Sequence, residues 1–321
     1  MNRTGVLNLC LLAAAVATTF LLAWPRTGAR PRVVNPGPSP SGGPAKARLA
    51  SGELAIADAS GDLVPLRHYQ RIVSTNLLTD RLLIELCEPS RIRAVSRASG
   101  RRTRDGYRYS GFDTVEGFGP IEAIVALKPD LVLMNSFGAP GSAERLRLAG
   151  VEVFDLGELH GERSLASIAL CLGELLGAPE RARRFVWTFA DRMTKVSAGH
   201  APSRRKRARF LSILGPDLQC GTRGTSYHDI MTAAGLDDVA ARDHQGWPAL
   251  SAEEVLALAP EIVVTREGSA DRICQYPGMD HLPPCSGEGR LVELPGELLD
   301  EPGAAMLDAA EQLFALVYGG G

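Results

Sequence analysis

The sequence predicts an α/β protein with two similar lobes, each built from a small parallel sheet flanked by helices. The first observation is a duplicated block: IEAIVALKPDLVLM at residues 121–134 returns as AEEVLALAPEIVVT at residues 252–265. The second is the alternation of short apolar strand patterns with helical patterns around each copy, which is typical of sheets covered by helices. The third is an amphipathic helical stretch, residues 179–198, between the two copies.

The composition favours the same class and argues against some partners. Of the 321 residues, 45% are hydrophobic and only 6% are aromatic, which suits a helix-rich α/β protein with a sizeable core. The formal net charge is −2, so nothing in the overall charge suggests binding to nucleic acid or to an anionic membrane surface.

The N-terminal segment is typical of export. Arg3 precedes an apolar run at residues 5–24, and Thr27 to Ala29 offers small residues for cleavage. The run also approaches the ~20 residues that span a bilayer. We therefore expect residues 1–29 to be either a signal peptide or an N-terminal membrane anchor. Residues 30–52, rich in Pro, Gly and Ser, are expected to be a flexible linker to a protein in the periplasm or on the outer face of the cytoplasmic membrane.

Export permits disulfide bonds. Cys274 and Cys285 flank the Pro- and Gly-rich loop CQYPGMDHLPPC, and both a disulfide and two free thiols are compatible with the sequence. No C-x-x-C occurs, so neither a zinc knuckle nor a thioredoxin-like motif is indicated.

The first lobe is predicted over residues 53–161. ELAIADASGDLVPL alternates apolar and polar residues and predicts a β-hairpin. RIVS, IRAVS, LVLM and VEVFDL predict short buried strands, with a helix from Thr79 to Leu86 after the first. A second helix is expected to take Pro120 as its first residue and to end at Pro129. SRASGRRTRDGYRYSG is predicted as a basic loop, which either is solvated or pairs with an anionic ligand.

The second lobe is predicted over residues 204–321 and repeats this order. RFLSIL predicts a strand, SYHDIMTAAG a helix and EIVVT a second strand. Ser251 and Glu254 form a capping-box pattern at the start of the repeated helix, and Pro260 is expected to end that helix.

A bridging helical segment is predicted over residues 162–203. Apolar residues recur at three- and four-residue steps within residues 179–198, which would form a helix about 30 Å long. Two lobes joined by one long bridging helix leave a cleft between them. Because ligands bind beyond the carboxyl ends of parallel strands, we expect a ligand cleft there.

The motif E-x-I-x-x-L-x-P-D-L-V-L, together with RIVS, AGVEVFDLG and GWPALSAEEVLALAPEIVV, resembles the periplasmic substrate-binding proteins of ABC importers for iron-siderophores, haem and cobalamin, of the helical-backbone type. The resemblance implies a protein that is not an enzyme, is monomeric and has no cofactor. Its ligand would be a small-molecule metal chelate: an iron chelate, haem or a corrinoid. Its partner would be an ABC importer permease, with membrane contact through that transporter or the N-terminal anchor and no contact with nucleic acid.

The resemblance also implies roles for individual residues. Glu122 and Glu253, one in each lobe, would dock the permease, whereas the alternative is that both only favour the helix dipole. Trp247 would stack on a flat ligand, or else pack in the core. The residues expected to contact the ligand are Asn76, Tyr107, Tyr109, Phe118, Asn135, Thr225, Tyr227, Trp247 and Arg266.

Two other functions remain open at this point. A receptor for a bare zinc or manganese ion would use histidines such as His160, His228 and His244, although these are not grouped at the spacing of metal ligands. A tethered ligand sensor or an enzyme could share the fold. No G-x-S-x-G, H-E-x-x-H or G-x-x-x-x-G-K motif occurs, so no common catalytic pattern supports the enzyme.

Overall fold

The computed structural model describes residues 46–102, 106–117, 119–135, 141–198, 205–214, 217–301 and 303–319. The targeting segment, most of the predicted linker and Phe118 therefore lie outside the described residues. Within these ranges, no helix has both the length and the apolar character needed to cross a membrane.

Short strands and helices alternate along most of the described chain. The strands are β1 (Lys46–Arg48), β2 (Leu54–Ala57), β3 (Leu63–Pro65), β4 (Ile72–Ser74), β5 (Ile92–Ser96), β6 (Asp113–Val115), β7 (Leu131–Met134), β8 (Val153–Asp155), β9 (Arg207–Phe210), β10 (Ser212–Leu214), β11 (Asp217–Gln219), β12 (Asp237–Asp238), β13 (Ala249–Leu250), β14 (Ile262–Arg266) and β15 (Arg290–Leu294). The α-helices are α1 (Leu77–Leu86), α2 (Arg97–Arg102), α3 (Ile121–Ala126), α4 (Ser142–Leu148), α5 (Glu162–Leu175), α6 (Pro179–Lys195), α7 (Ser226–Ala233), α8 (Ala252–Leu258), α9 (Ala270–Cys274), α10 (Pro283–Ser286), α11 (Gly296–Leu299) and α12 (Ala305–Tyr318).

An antiparallel sheet, β1-β2-β3, precedes the first parallel sheet. Strands β2 and β3 form the hairpin expected from the sequence, and the Asp58 carboxylate accepts hydrogen bonds from the backbone N–H groups of Ser60 and Asp62 in its turn. Arg147 of α4 forms an ion pair with Asp58 and so ties this turn to the first lobe. The linker prediction is wrong at its end, because residues 46–48 pair with β2 as a strand.

The first lobe contains a five-stranded sheet in the order β6-β5-β4-β7-β8, with all pairs parallel. Every residue of β4, β7 and β8 is buried, as expected for strands covered by helices on both faces. The strand order changes direction at β4, and a crevice forms beyond the carboxyl ends of strands at such a point.

The second lobe repeats this arrangement. Its parallel sheet has the order β12-β9-β14-β15, so β9 takes the place of β4 and β14 that of β7. A small antiparallel sheet, β10-β11-β13, is added beside it. The prediction of two similar α/β lobes is therefore confirmed.

The duplicated block forms the same local structure in both lobes. The Asp130 carboxylate accepts the backbone N–H of Arg71 at 2.9 Å, and the Arg71 side chain donates to carbonyls at the end of α3. In the second lobe, Glu261 accepts the backbone N–H of Arg207 at 2.9 Å, and Arg207 donates to the last carbonyl of α8. The acidic residue after each proline thus joins the start of a central strand to the end of a helix.

The bridging segment consists of two helices, α5 and α6, where the sequence suggested one long strut. Helix α6 matches the predicted amphipathic helix but ends at Lys195. Arg181 near its start forms an ion pair with Glu88 of the first lobe, and Arg192 near its end forms one with Glu311 of the second. Residues of both lobes and both helices share one hydrophobic core, so the bridge is packed along its length.

Two local predictions in the first lobe need correction. The predicted basic loop contains α2 and a 3-10 helix, Gly106–Tyr109, because Arg97 and Arg108 find acidic partners in Glu116 and Glu85. Pro120 is the N-cap of α3, not its first helical residue.

In the second lobe, a disulfide joins Cys274 to Cys285 and so links α9 to α10.

Candidate functional site

A cavity of about 810 Å³ lies between the two lobes. This volume is within the range of small-molecule sites in proteins. The first lobe contributes Thr75, Asn76, Leu77, Leu78, Ser96, Arg97, Ala98, Glu116, Gly117, Gly119, Met134, Asn135, Glu158 and Leu159. The second lobe contributes Thr225, Ser226, Tyr227, Trp247, Leu299 and Asp300.

The carboxyl ends of the first lobe's parallel strands supply most of its wall. Thr75 and Asn76 follow β4, Arg97 follows β5, Glu116 follows β6 and Asn135 follows β7. Backbone segments approach closely here: a Cβ on Gly117 would lie 2.1 Å from the carbonyl oxygen of Thr75. Only glycine fits at that position, so the contact between the ends of β4 and β6 depends on it.

Two aromatic side chains, Tyr227 and Trp247, line the cavity from the second lobe, and buried Phe210 lies behind them. The ring of Tyr227 stacks on Phe210 with centroids 4.0 Å apart, and Trp247 meets Tyr227 edge-on at 4.9 Å. Trp247 is 45% exposed, so it presents indole surface to the cavity instead of being enclosed in the core. The Tyr227 hydroxyl donates to the carbonyl of Leu299 at 2.8 Å, and burial raises the pKa of Tyr227 to about 12.

One helix from each lobe starts at the cavity. Asn76 caps α1 by accepting the backbone N–H of Thr79, and Thr225 caps α7 by accepting that of His228. The first two residues of both helices line the cavity. Because the start of a helix carries partial positive charge, two such ends meet the same space.

Charged side chains occupy the rim as well. Arg97 and Glu116 form an ion pair at 3.0 Å, and both line the cavity. Asp300 lines the cavity, while Arg266 lies behind it and donates to both of its carboxylate oxygens. Glu158 adds a third carboxylate to the wall. The charges facing a ligand are therefore mixed in sign.

Two buried carboxyl groups lie directly behind the wall. Asp80 accepts hydrogen bonds from the backbone N–H of Ser96 and the hydroxyl of Ser99, and burial raises the pKa of Asp80 to about 7. Glu301 accepts three backbone N–H groups at the start of α12. Burial raises the pKa of Glu301 to about 7, although Arg81 of the first lobe opposes the change.

The cavity brings together five of the residues expected at the ligand: Asn76, Asn135, Thr225, Tyr227 and Trp247. They come from both lobes and from segments far apart in the chain. Their contact with a ligand remains a prediction, since the structure shows only that they share one wall.

The other expected residues lie elsewhere. Tyr107 is 75% exposed outside the wall, and Tyr109 is buried in the hydrophobic core, because the 3-10 helix turns these side chains in opposite directions. Arg266 reaches the cavity only through Asp300. Glu158 also lines the wall, and no feature of the sequence pointed to it.

The described residues contain no group of three or more His, Cys, Asp or Glu side chains that could hold a metal ion. His228 is hydrogen-bonded to Asp238 through Nδ1 at 2.9 Å, and this bond raises the pKa of His228. The alternative of a zinc or manganese receptor thus gains no support from this part of the chain.

A family model described as "Periplasmic binding protein" matches residues 72–311. The chain belongs to this family. Its fold also resembles solved structures that share too little sequence to indicate more than the fold. The haem-binding protein RhuT from Roseiflexus sp. RS-1 has a TM-score of 0.65 at 22% identity, over 78% of this chain and 98% of that one. The vitamin B12-binding protein BtuF from Vibrio cholerae has a TM-score of 0.60 at 19% identity, over 79% and 99%.

Sequence relatives are binding proteins of the same kind. The vitamin B12-binding protein of Salmonella typhimurium is 30% identical over 161 residues, which is 49% of this chain and 60% of that protein. An uncharacterised ABC transporter substrate-binding lipoprotein of Bacillus subtilis, YvrC, is 22% identical over 205 residues, covering 62% of this chain and 65% of its own length. The chain therefore spans somewhat less than two thirds of the curated relatives that it matches.

Proposed function

We propose that this protein is a non-catalytic, extracytoplasmic receptor that captures a corrinoid or a similar metal chelate and delivers it to an ABC importer. The observation that carries the proposal is the cavity of about 810 Å³ between the lobes, with the exposed indole of Trp247 in its wall. A flat macrocycle can stack on such a ring, and polar side chains from both lobes can meet its periphery.

The wall favours a corrinoid over haem. Ferric haem in a protein is commonly held by an axial histidine or tyrosinate ligand. Tyr227 lines the wall, but its hydroxyl is engaged by the carbonyl of Leu299, and burial raises its pKa to about 12, which disfavours the tyrosinate form. A corrinoid brings its own axial ligands and needs no such group. The match to vitamin B12-binding proteins supports the same choice.

Delivery requires a surface that the permease recognises. Glu122 and Glu253 are exposed, and each is the second residue of a short helix at the same place in its lobe. A pair of carboxylates repeated in this way is suited to a permease with two equivalent basic sites. We therefore assign docking to these two residues.

Titration of the purified protein with cyanocobalamin, haemin and a ferric hydroxamate chelate tests which of these ligands it binds. We expect micromolar or tighter binding of cyanocobalamin, and about tenfold weaker binding by Trp247→Ala because stacking area is lost. Trp187→Ala is the matched control, since Trp187 is 70% exposed on α6 and lies outside the cavity. The proposal would be contradicted if none of the three chelates bound to the protein.

A further inference from the structure

The segment by which the chain leaves the first lobe forms part of the cavity wall. Residues 156–161 join β8 to α5, and Glu158 and Leu159 in the middle of this segment line the cavity. At its end, Gly161 is the N-cap of α5 and makes no side-chain capping bond. Because the first N–H groups of a helix have no acceptor within it, those of α5 need one from elsewhere in the molecule.

Asp229 of the second lobe supplies such an acceptor. It is the fourth residue of α7, and its Oδ2 accepts the backbone N–H of Glu162, the first residue of α5, at 2.7 Å. A carboxylate beside the start of a helix also suits the positive end of the helix dipole. A side chain of the second lobe thus holds the end of a wall segment that comes from the first lobe.

The two lobes approach each other closely at this contact. A Cβ on Gly161 would lie 2.1 Å from Asp229 Oδ2 and 3.4 Å from the carbonyl oxygen of Thr225, and the φ value of Gly161 is 95°. Only glycine satisfies both the space and the backbone conformation. Since Thr225 lines the cavity, the contact lies where the wall of one lobe meets that of the other.

The first lobe contains an equivalent arrangement. Asp80 is the fourth residue of α1, as Asp229 is of α7, and both helices begin at the cavity. Asp80 accepts the backbone N–H of Ser96 at 3.0 Å, and Ser96 and Arg97 line the cavity. Each helix therefore uses its fourth residue to hold the backbone of another wall segment. Repetition in both lobes indicates that these contacts belong to the construction of the cavity.

We propose that Asp229 is a positioning residue for ligand binding, which holds residues 158–162 in the conformation that completes the cavity wall. This proposal rests on the chelate-binding function given above. It assigns no ligand contact to Asp229 itself, which lies behind the lining residues. Without the carboxylate, the segment would spend part of the time in other conformations. The apparent dissociation constant rises as the competent fraction falls, so a competent fraction of about one tenth gives about tenfold weaker binding.

Two substitutions of Asp229 test this role. Asp229→Asn keeps a side-chain oxygen that can accept the N–H of Glu162, whereas Asp229→Ala removes the acceptor. Each variant is titrated with whichever of cyanocobalamin, haemin and a ferric hydroxamate chelate binds the unaltered protein most tightly. We expect about tenfold weaker binding by Asp229→Ala, and binding by Asp229→Asn within about twofold of the unaltered protein.

Hydrogen exchange at the Glu162 amide measures the contact directly. Exchange without ligand should be about tenfold faster in Asp229→Ala than in Asp229→Asn, because the amide loses its acceptor. Saturating chelate should slow this exchange again, since a ligand that needs the ordered segment also stabilises it. In the unaltered protein, the chelate should protect Glu162 more than Arg71, a comparison that requires no variant to fold.

Asp130→Ala is the matched control. Asp130 also accepts backbone N–H groups, those of Gln70 and Arg71, but it lies before the start of β7, away from the carboxyl ends of the strands and outside the cavity. Its replacement should lower the melting temperature and leave every affinity unchanged. The control therefore separates a loss of stability from a loss of wall conformation.

Three results would overturn the positioning role. The first is unchanged affinity in Asp229→Ala although exchange at Glu162 is faster, which would make the contact a helix cap and nothing more. The second is an equal loss of affinity in Asp229→Ala and Asp130→Ala. The third is equal protection of Glu162 and Arg71 by the chelate. If none of the three chelates binds to the unaltered protein, the proposed function fails and this proposal with it, whereas a failure confined to Asp229 leaves binding by the unaltered protein intact.

Discussion

Asp80 is a fully buried carboxyl group whose ionisation opposes folding. Its oxygens accept hydrogen bonds from Ser96 and Ser99, but loss of solvent dominates and raises its pKa from 3.8 to about 7. The folded protein therefore holds this proton at pH values where the unfolded chain has released it. It follows that stability due to Asp80 is present below pH 4 and is lost as the pH rises through about 7.

Replacement of Asp80 by Asn should flatten this dependence. We expect the unaltered protein to lose stability between pH 4 and pH 8, by about 1.4 kcal/mol for each unit of pKa difference. Glu301, Asp58 and Asp229 also have raised pKa values and contribute a slope of the same sign, so Asp80→Asn should remove only part of it. Urea unfolding at several pH values measures the slope.

The control for this experiment is Asp113→Asn. Asp113 is an exposed carboxylate in an ion pair with Arg93, so its replacement should leave the slope intact. A full slope in Asp80→Asn would show that the group is ionised in the folded protein at neutral pH, contrary to the argument from burial.

Single residues at the cavity were only partly predictable from the sequence. Trp247 and Tyr227, two aromatic residues that the family resemblance placed at the ligand, do line the cavity. Tyr107 and Tyr109 have the same character, yet a 3-10 helix directs one to solvent and the other to the core. Whether each tyrosine points to solvent or to the core depends on the three-dimensional fold, and no local sequence pattern indicates it.

The duplicated block shows which features of a helix or strand the sequence predicts and which it does not. Its helices and strands were predicted from apolar spacing and from the prolines that follow each helix. The structure adds that Lys128 and Ala259, each just before the proline, have positive φ values of 49° and 41°. Neither residue type favours that conformation, and only the repeated helix-to-strand turn imposes it.

Helix α6 has one face in the core shared by both lobes, and this predicts unequal effects for two neighbouring aromatic residues. Phe189 is 7% exposed and stacks on Phe185 with ring centroids 6.0 Å apart. Phe189→Ala should lower the free energy of unfolding by about 3–5 kcal/mol, because it leaves a cavity in that core. Urea unfolding followed by circular dichroism measures the change.

Trp187→Ala provides the control on the same helix. Trp187 is 70% exposed, so its removal should change the free energy of unfolding by no more than about 0.5 kcal/mol. Equal effects of the two substitutions would contradict the packing of α6 between the lobes. The spacing of apolar residues identified the buried face of this helix from the sequence, although not its separation from α5.

At the scale of the whole molecule, the repeat in the sequence led to the correct architecture. Two copies of one helix–strand block predicted two lobes, and a long amphipathic helix between them predicted a bridge. The antiparallel strands β1, β11 and β13 were not predicted, because they have two or three residues and too few side chains for a periodic pattern. The segment RFLSIL was predicted as one strand, whereas the structure divides it between β9 and β10. The domain boundaries at residues 161 and 203 remain predictions.

The proposed docking to a permease makes a prediction that involves both lobes. Glu122 and Glu253 occupy matching positions, so docking through both would fix the orientation of the cavity towards the transporter. Truncation of one partner of a buried, hydrogen-bonded charge pair costs about 2–5 kcal/mol, and docking would bury both glutamates in this way. Glu122→Ala combined with Glu253→Ala should therefore reduce uptake into vesicles with the cognate importer by tenfold or more. Cyanocobalamin affinity should not change, because neither residue lines the cavity.

The matched control for this double variant is Glu144→Ala with Glu180→Ala, which removes two exposed carboxylates from the first turns of α4 and α6. All four glutamates have the same relation to a helix dipole, so an effect through helix stability would appear in both double variants. Loss of uptake in the first pair alone would support recognition by the permease. Unchanged uptake in the first pair, with normal ligand binding, would mean that Glu122 and Glu253 serve only their helices and that the permease contacts another surface.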